Sequence, residues 1–198
     1  MKKTVRTVVI FIAIFELSLL GYYYFYSNKK PPAPPLPTLG TVPEFSLLKQ
    51  DSTAFTRSNI NGNITIADFI FTTCGGPCPL MTSKMTELQD TLSNASKVHF
   101  LSFSVDPEYD TPSILTAYAQ GHHANLARWN FLTGDKHVIY GLARYGFHLT
   151  ADDEGSAIIH STKFILIDDK GAIRGYYDYD DSTAIPKLIA DARTLAVE

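Results

Sequence analysis

Two cysteines, Cys74 and Cys78, are the only ones in the 198-residue chain, and they stand four positions apart. A disulfide that closes so short a loop removes little chain entropy from the unfolded state, so a structural staple is not expected. Neighbouring thiols of this kind serve redox chemistry or metal binding. Two soft thiolates on a short Gly-Gly-Pro loop can converge on one ion and favour Cu(I) or Zn, whereas a metal-free dithiol could form a reversible disulfide. The spacing alone leaves both interpretations open.

The cysteine pair is predicted to lie between a buried strand and a helix. The run ITIADFIF (64–71) is β-branched and apolar, as is typical of a strand buried on both faces. The segment PLMTSKMTELQDTL (79–92) then repeats apolar residues at helical spacing. Cys78 falls in the first turn of this helix, where the dipole and free N–H groups are expected to stabilise a thiolate. The apolar positions of the helix are Leu80, Met81, Met85, Leu88 and Leu92.

The chain from Val42 onward predicts one α/β domain. A second strand is expected at 97–105, a further segment near 129–132 is left without an assigned structure, and hairpins are expected at 43–60 and 161–179, the latter with a DDKG turn. Helices are expected after Asp110 as N-cap, over about 135–145, and from Ser182 or Thr183 to Leu195. Strands that alternate with helices predict a central sheet covered by helices on both faces.

Four motifs in this domain resemble the Sco/SenC family. They are CGGPCP at 74–79, SVDPEYDTP at 104–112, LTGD at 132–135 and IIHSTKFILIDDKGAIRGYYD at 158–178. Their order and spacing match the family, and the resemblance runs from about Thr41 to the C-terminus. It implies a thioredoxin-like fold that binds one copper ion per chain, as Cu(I) or Cu(II), through Cys74, Cys78 and His160. It further implies delivery of copper to the dinuclear CuA centre of cytochrome c oxidase, or reduction of the thiols of that centre.

One position departs from the family pattern. Family members often carry an acidic residue directly before the histidine, and this chain has Ile159. Copper affinity or partner docking is therefore expected to differ here. The loop CGGPC also resembles the CGPC of thioredoxins with one glycine added, which favours redox activity.

The position of His160 supports its assignment as a ligand independently. In a thioredoxin-like sheet, the loop that enters the penultimate strand lies opposite the cysteine-bearing turn. Redox thioredoxins place a cis-proline in that loop, yet residues 113–185 contain no proline and His160 directly precedes the strand STKFILI. An imidazole is a ligand that soft metals accept. The missing proline argues against a plain reductase.

Other residues at the same end of the domain have simpler explanations. Met81 and Met85 could be read as copper ligands, but their helical spacing favours core packing. Asp106 follows a strand and is a candidate for supporting a ligand or contacting a partner. The remaining histidines show no metal spacing relative to the cysteines: His99, His122, His123, His137 and His148.

The N-terminus predicts a membrane anchor. Lys2, Lys3 and Arg6 precede an apolar run at 8–26, whose length of roughly 28 Å as a helix is close to the thickness of a bilayer core. The basic residues favour a cytoplasmic N-terminus. A cleaved signal peptide is the alternative, but no small-x-small cleavage site follows. The predicted organisation is an anchor at 1–27, a proline-rich spacer at 28–40 and the copper-binding domain at 41–198.

These features lead to one main hypothesis and one alternative from another class. The first is a metallochaperone in the inner membrane of a bacterium, single-pass, with its domain on the periplasmic side and an oxidase subunit or another copper protein as partner. The second is a membrane-tethered thiol–disulfide oxidoreductase. A peroxidase is weaker, because the CGGPC loop lacks the arrangement that polarises peroxide. A nucleic-acid partner is not expected at a net charge of −3.

Overall fold

The structure, a computed structural model, describes residues 2–27, 35–149 and 161–197. The chain divides into two units, Met1–Pro35 and Leu36–Glu198. The first unit contains helix α1, Lys2–Ser27. Its segment Val5–Tyr26 is 22 residues long, which is about 33 Å of helix and long enough to cross a bilayer, and an 18-residue window within it has a mean hydropathy of 1.9. A signal sequence passes the same test of length and composition.

The second unit is built on an eight-stranded sheet in the order β1-β8-β7-β4-β5-β6-β2-β3. Its strands are β1 Gly40–Thr41, β2 Ser46–Lys49, β3 Ala54–Thr56, β4 Ile64–Ile70, β5 Val98–Ser104, β6 Trp129–Thr133, β7 Lys163–Ile167 and β8 Ala172–Asp178. Strands β4, β5 and β6 are parallel, and the outer pairs are antiparallel. The parallel strands all end at the same edge of the sheet. Because β7 runs antiparallel to β4, β7 begins at that edge.

Helices cover both faces of this sheet. They are α2 Cys78–Thr91, α3 Pro112–Gly121, α4 Lys136–Gly141 and α5 Ala184–Val197, with a 3-10 turn at Arg57–Ile60 and a π-type turn at Leu142–Gly146. All seven residues of β4 are buried, and they alternate between two apolar clusters. Ile66 and Ile70 face the cluster formed with α2, α3 and α5, whereas Ala67 and Phe69 face the one formed with α4 and the π-type turn. The double burial explains why β4 reads as an unbroken apolar run.

The predicted elements correspond closely to these. The predicted fold class, an α/β sheet with helices on both faces, is confirmed, as are both hairpins. Two details of the prediction are wrong. The helix expected over 135–145 changes to a π-type turn at Leu142. The N-cap of α3 is Thr111 and not Asp110, because the carboxylate of Asp110 is bonded elsewhere.

Candidate metal centre

The two cysteines flank a short loop between β4 and α2. β4 ends at Ile70, and α2 begins at Cys78, so the predicted position of Cys78 in the first helical turn is confirmed. The Cys74 amide donates to the Phe71 carbonyl at 3.2 Å, and the Gly76 amide donates to the Cys74 Sγ atom at 3.4 Å. Pro77 stands at the N-cap, where the missing N–H is no loss. The loop therefore presents both sulfur atoms at the carboxyl edge of the parallel strands.

Both thiols are free and almost fully buried. Cys74 is 8% exposed and Cys78 is 4% exposed. Burial raises the pKa of Cys78 to about 12, and the neighbouring Cys74 thiol adds to the rise. The predicted stabilisation of a Cys78 thiolate by the helix N-terminus is thus wrong for the metal-free protein. Desolvation disfavours the charged form more strongly than the hydrogen bond with the Phe71 backbone favours it.

A buried carboxyl group lies in the same core, beneath α2. Asp68 is fully buried in the middle of β4, and neither of its oxygens has a hydrogen-bond partner among the described residues. Ser102 is its neighbour on β5, but the Ser102 Oγ atom accepts a hydrogen bond from Trp129 Nε1 at 3.0 Å. Burial raises the pKa of Asp68 to about 7, and the nearby Ser102 hydroxyl opposes this rise without reaching hydrogen-bond geometry with either oxygen.

Asp68 was not among the candidate residues indicated by the sequence motifs. The sequence nevertheless shows that Asp68 is an acidic residue within an otherwise apolar strand. A charge at Asp68 also raises the pKa values of Cys78 and Tyr118, although burial is the larger cause for both. The Tyr118 hydroxyl pairs with that of Thr82 at 2.7 Å, and Thr82 donates to the Cys78 carbonyl at 2.9 Å. Polar groups therefore line the inner side of the cysteine-bearing turn.

The loop after β5 supplies two acidic residues at this edge. Asp110 is fully buried and accepts hydrogen bonds from Thr72, two residues before Cys74, and from the Ser104 hydroxyl. Asp106 is half-buried, and its carbonyl accepts the amides of Tyr109 and Asp110 at 3.1 and 2.8 Å. The loop of Asp106 is therefore adjacent to the cysteine loop, and Asp110 joins the two.

Two further expectations can be compared with the structure. Met81 and Met85 are 0% exposed within the apolar core, so their predicted core packing is confirmed, whereas Leu80 is 60% exposed. His160 and Ile159 lie outside the described residues. The described chain resumes at Ser161, two residues before β7. Within the described part, no group of three or more His, Cys, Asp or Glu residues could hold a metal ion.

The SCO1/SenC family model matches residues 35–196 of this chain. A curated relative, the SCO1 protein homolog of Bacillus subtilis, is 33% identical over 157 residues, covering 77% of this chain and 81% of the relative. The family model spans the α/β unit from β1 into α5, including both cysteines. The predicted family is confirmed.

Two solved structures share the architecture. The structure of BsSco, described as a member of the Sco family of cytochrome c oxidase assembly proteins with a disulfide switch, has a TM-score of 0.72 at 32% identity and covers 82% of this chain and 97% of its own. Arabidopsis thaliana ScoI with copper bound has a TM-score of 0.64 at 25% identity. The match covers 78% of this chain and 99% of ScoI. The fold is thus the thioredoxin-like fold that the sequence predicted. This chain belongs to the SCO1/SenC family.

Proposed function

We propose that this protein is a copper metallochaperone that binds one copper ion through Cys74, Cys78 and His160 and helps to assemble the CuA centre of cytochrome c oxidase. The observation that carries the proposal is the pair of free, buried thiols, one on the loop that follows β4 and one at the start of α2. Sulfur donors of this kind select soft ions such as Cu(I). The solved copper-bound ScoI of Arabidopsis thaliana supports copper as the ion.

The buried thiols fit a cargo that must be both held and released. A metal ligand must be deprotonated, so binding copper releases the proton that burial keeps on Cys78. Burial beneath α2 therefore stabilises the protonated, metal-free thiol, whereas the affinity of sulfur for a soft ion stabilises the copper-bound form. Affinity is expected to rise with pH for this reason.

His160 is the proposed third ligand because of where β7 begins. β7 runs antiparallel to β4, with Ala67 opposite Ile165, so the start of β7 lies at the edge where β4 ends. Ser161 leads into that strand and His160 precedes it in the sequence. One imidazole and two thiolates would give Cu(I) a compact site with net charge −1. Asp106, at the same edge, is the proposed contact for a ligand or a partner.

The proposed client is the copper-bearing subunit of cytochrome c oxidase or another copper protein. BsSco, at 32% identity, is described as a cytochrome c oxidase assembly protein. The proposed location is the inner membrane of a bacterium, with 1–27 as a single-pass anchor, 28–40 as a spacer and 41–198 on the periplasmic side. The apolar helix Val5–Tyr26 and the basic residues before it support this topology.

A thiol–disulfide oxidoreductase is the second candidate. The closeness of the Cys74 thiol, which contributes to the raised pKa of Cys78, favours it, because a resolving thiol must lie near the attacking one. The disulfide switch described for BsSco is in keeping with this activity. Both functions need both cysteines, so cysteine variants alone cannot separate them.

His160→Ala separates the two functions. Thiol–disulfide exchange needs only the two thiols, whereas the proposed copper site needs the imidazole. We expect His160→Ala to react with a small disulfide at nearly the wild-type rate and to fail to restore cytochrome oxidase activity in cells that lack the native protein. His137→Ala is the matched control, because His137 is exposed on α4 and should behave as wild type. Full complementation by His160→Ala at limiting copper would overturn the chaperone in favour of the reductase.

A further inference from the structure

We propose that Asp110 is a positioning residue that fixes the cysteine loop, 71–77, in its copper-binding conformation by holding Thr72. The proposal rests on the function proposed above. The two residues are 38 positions apart in the sequence, and the pairing of β4 with β5 brings them together. Asp110 would therefore determine copper affinity without touching the ion.

The carboxylate of Asp110 joins three donors in a buried position. Its Oδ2 atom accepts the Thr72 amide at 3.1 Å and the Ser104 hydroxyl at 2.5 Å, and its Oδ1 atom accepts the Thr72 hydroxyl. Asp110 itself is 0% exposed. Hydrogen bonds to an ionised acceptor are stronger than neutral ones, and burial removes the competition from water. Thr72 is thus held through both its backbone and its side chain.

The two glycines of the cysteine loop pack against few neighbours. A Cβ atom added at Gly75 would meet nothing within 4 Å, and one added at Gly76 would meet only the Cys74 sulfur, at 3.8 Å. Glycine also leaves the backbone more conformational freedom than any other residue. Besides the contacts of Cys74 described above, the loop is held at its ends, by Thr72 on one side and by the first turn of α2 on the other, where the Met81 amide donates to the Pro77 carbonyl.

Asp110 is held in place by its own loop. Its amide donates to the Asp106 carbonyl at 2.8 Å, and the Ser104 hydroxyl accepts the Asp106 amide at 3.1 Å. The turn from Asp106 to Asp110 is thus closed upon the end of β5. Because the Asp110 carboxylate is itself held in place, it can hold Thr72 in one position. Residues that orient metal ligands typically change affinity by roughly ten- to hundredfold when they are replaced.

Asp168 provides a matched control at the opposite edge of the sheet. It is 3% exposed, and it accepts the amides of Lys170 and Ala172 and the Arg174 Nε atom at 2.9, 2.8 and 2.8 Å. It follows β7, whose end lies beside the start of β4. Asp168→Asn should therefore lower stability as a loss of buried hydrogen bonds does, without reaching the cysteines.

The experiment measures Cu(I) affinity by chelator competition and hydrogen exchange of residues 72–78, with the full chain in detergent. Asp110→Asn should lose roughly ten- to hundredfold in Cu(I) affinity and exchange faster in the loop, whereas Asp168→Asn should do neither. Thr72→Val removes only the hydroxyl and should lose affinity in part, whereas Thr72→Ser keeps the hydroxyl and should retain it. This second pair decides the question if Asp110→Asn fails to fold.

Two results separate this proposal from the proposed function. Wild-type affinity and loop exchange in both Asp110→Asn and Thr72→Val would overturn the positioning role and leave copper binding intact. A wild-type chain that binds no Cu(I) would overturn the proposed function. In that event, loop exchange still tests the positioning role: faster exchange in Asp110→Asn than in Asp168→Asn supports it, and equal exchange contradicts it.

Discussion

Asp68→Asn should remove a pH dependence of stability that the buried carboxyl group creates. Burial raises the pKa of Asp68 from 3.8 to about 7, so the folded protein favours the protonated form and binds more protons than the unfolded chain between these values. Stability is therefore full at low pH and falls as the pH rises through about 7. The rise in pKa corresponds to about 4 kcal/mol, because each tenfold change in proton binding is worth about 1.4 kcal/mol.

Most of this loss of stability occurs in a pH range that is accessible to experiment. Relative to Asp68→Asn, the free energy of unfolding of the wild type should decrease by about 3 kcal/mol between about pH 5 and about pH 8.5. The assay is urea unfolding of residues 36–198, which contain both apolar clusters, kept reduced and copper-free. His99 and His122 have lowered pKa values and act in the opposite direction, but they are common to both proteins and cancel in the difference. Identical pH profiles for the two proteins would refute the reasoning and show that the carboxyl group is ionised in the fold.

Three other predictions follow from the same structure. Copper should raise the melting temperature in a concentration-dependent way, and His160→Ala should shrink that increment while leaving the metal-free melting temperature nearly unchanged; strong destabilisation of the metal-free variant would make His160 structural. Met85→Leu should keep copper binding and cost less than about 1.5 kcal/mol of stability, because it is a nearly volume-conserving change in the core; lost copper would make Met85 a ligand. An alkaline phosphatase fused after Gly40 should be active, since the N-terminal charges hold that end inside; an inactive fusion, or a mature chain that begins near residue 30, would contradict the proposed anchor.

The elements around the cysteines were predictable because their signals are local. The apolar run of β4 and the helical repeat of α2 each depend on only a few neighbouring residues, and the cysteines fall between them. The burial of Met81 and Met85 followed from the same repeat. Leu80 fits the list of apolar residues but is exposed, since position 80 faces away from the sheet.

The electrostatics of the site were not predictable in the same way. The raised pKa of Cys78 depends on how completely α2 and the sheet exclude water, and the sequence analysis considered only the helix terminus. Asp110 illustrates the same limit. It has the residue type and position of a helix cap, but its carboxylate binds Thr72, which becomes a neighbour only when β4 pairs with β5. Local signals identify which residues are candidates, whereas tertiary packing decides their protonation and partners.

X-ray absorption spectroscopy of the Cu(I)-loaded chain would identify the copper ligands themselves. We expect one copper ion per chain, three-coordinate, with two sulfur ligands and one nitrogen ligand. His160→Ala should lose the nitrogen contribution, and Cys74→Ser or Cys78→Ser should not retain stoichiometric copper. A copper site without sulfur ligands, or stoichiometric zinc in place of copper, would rule out the proposed copper site.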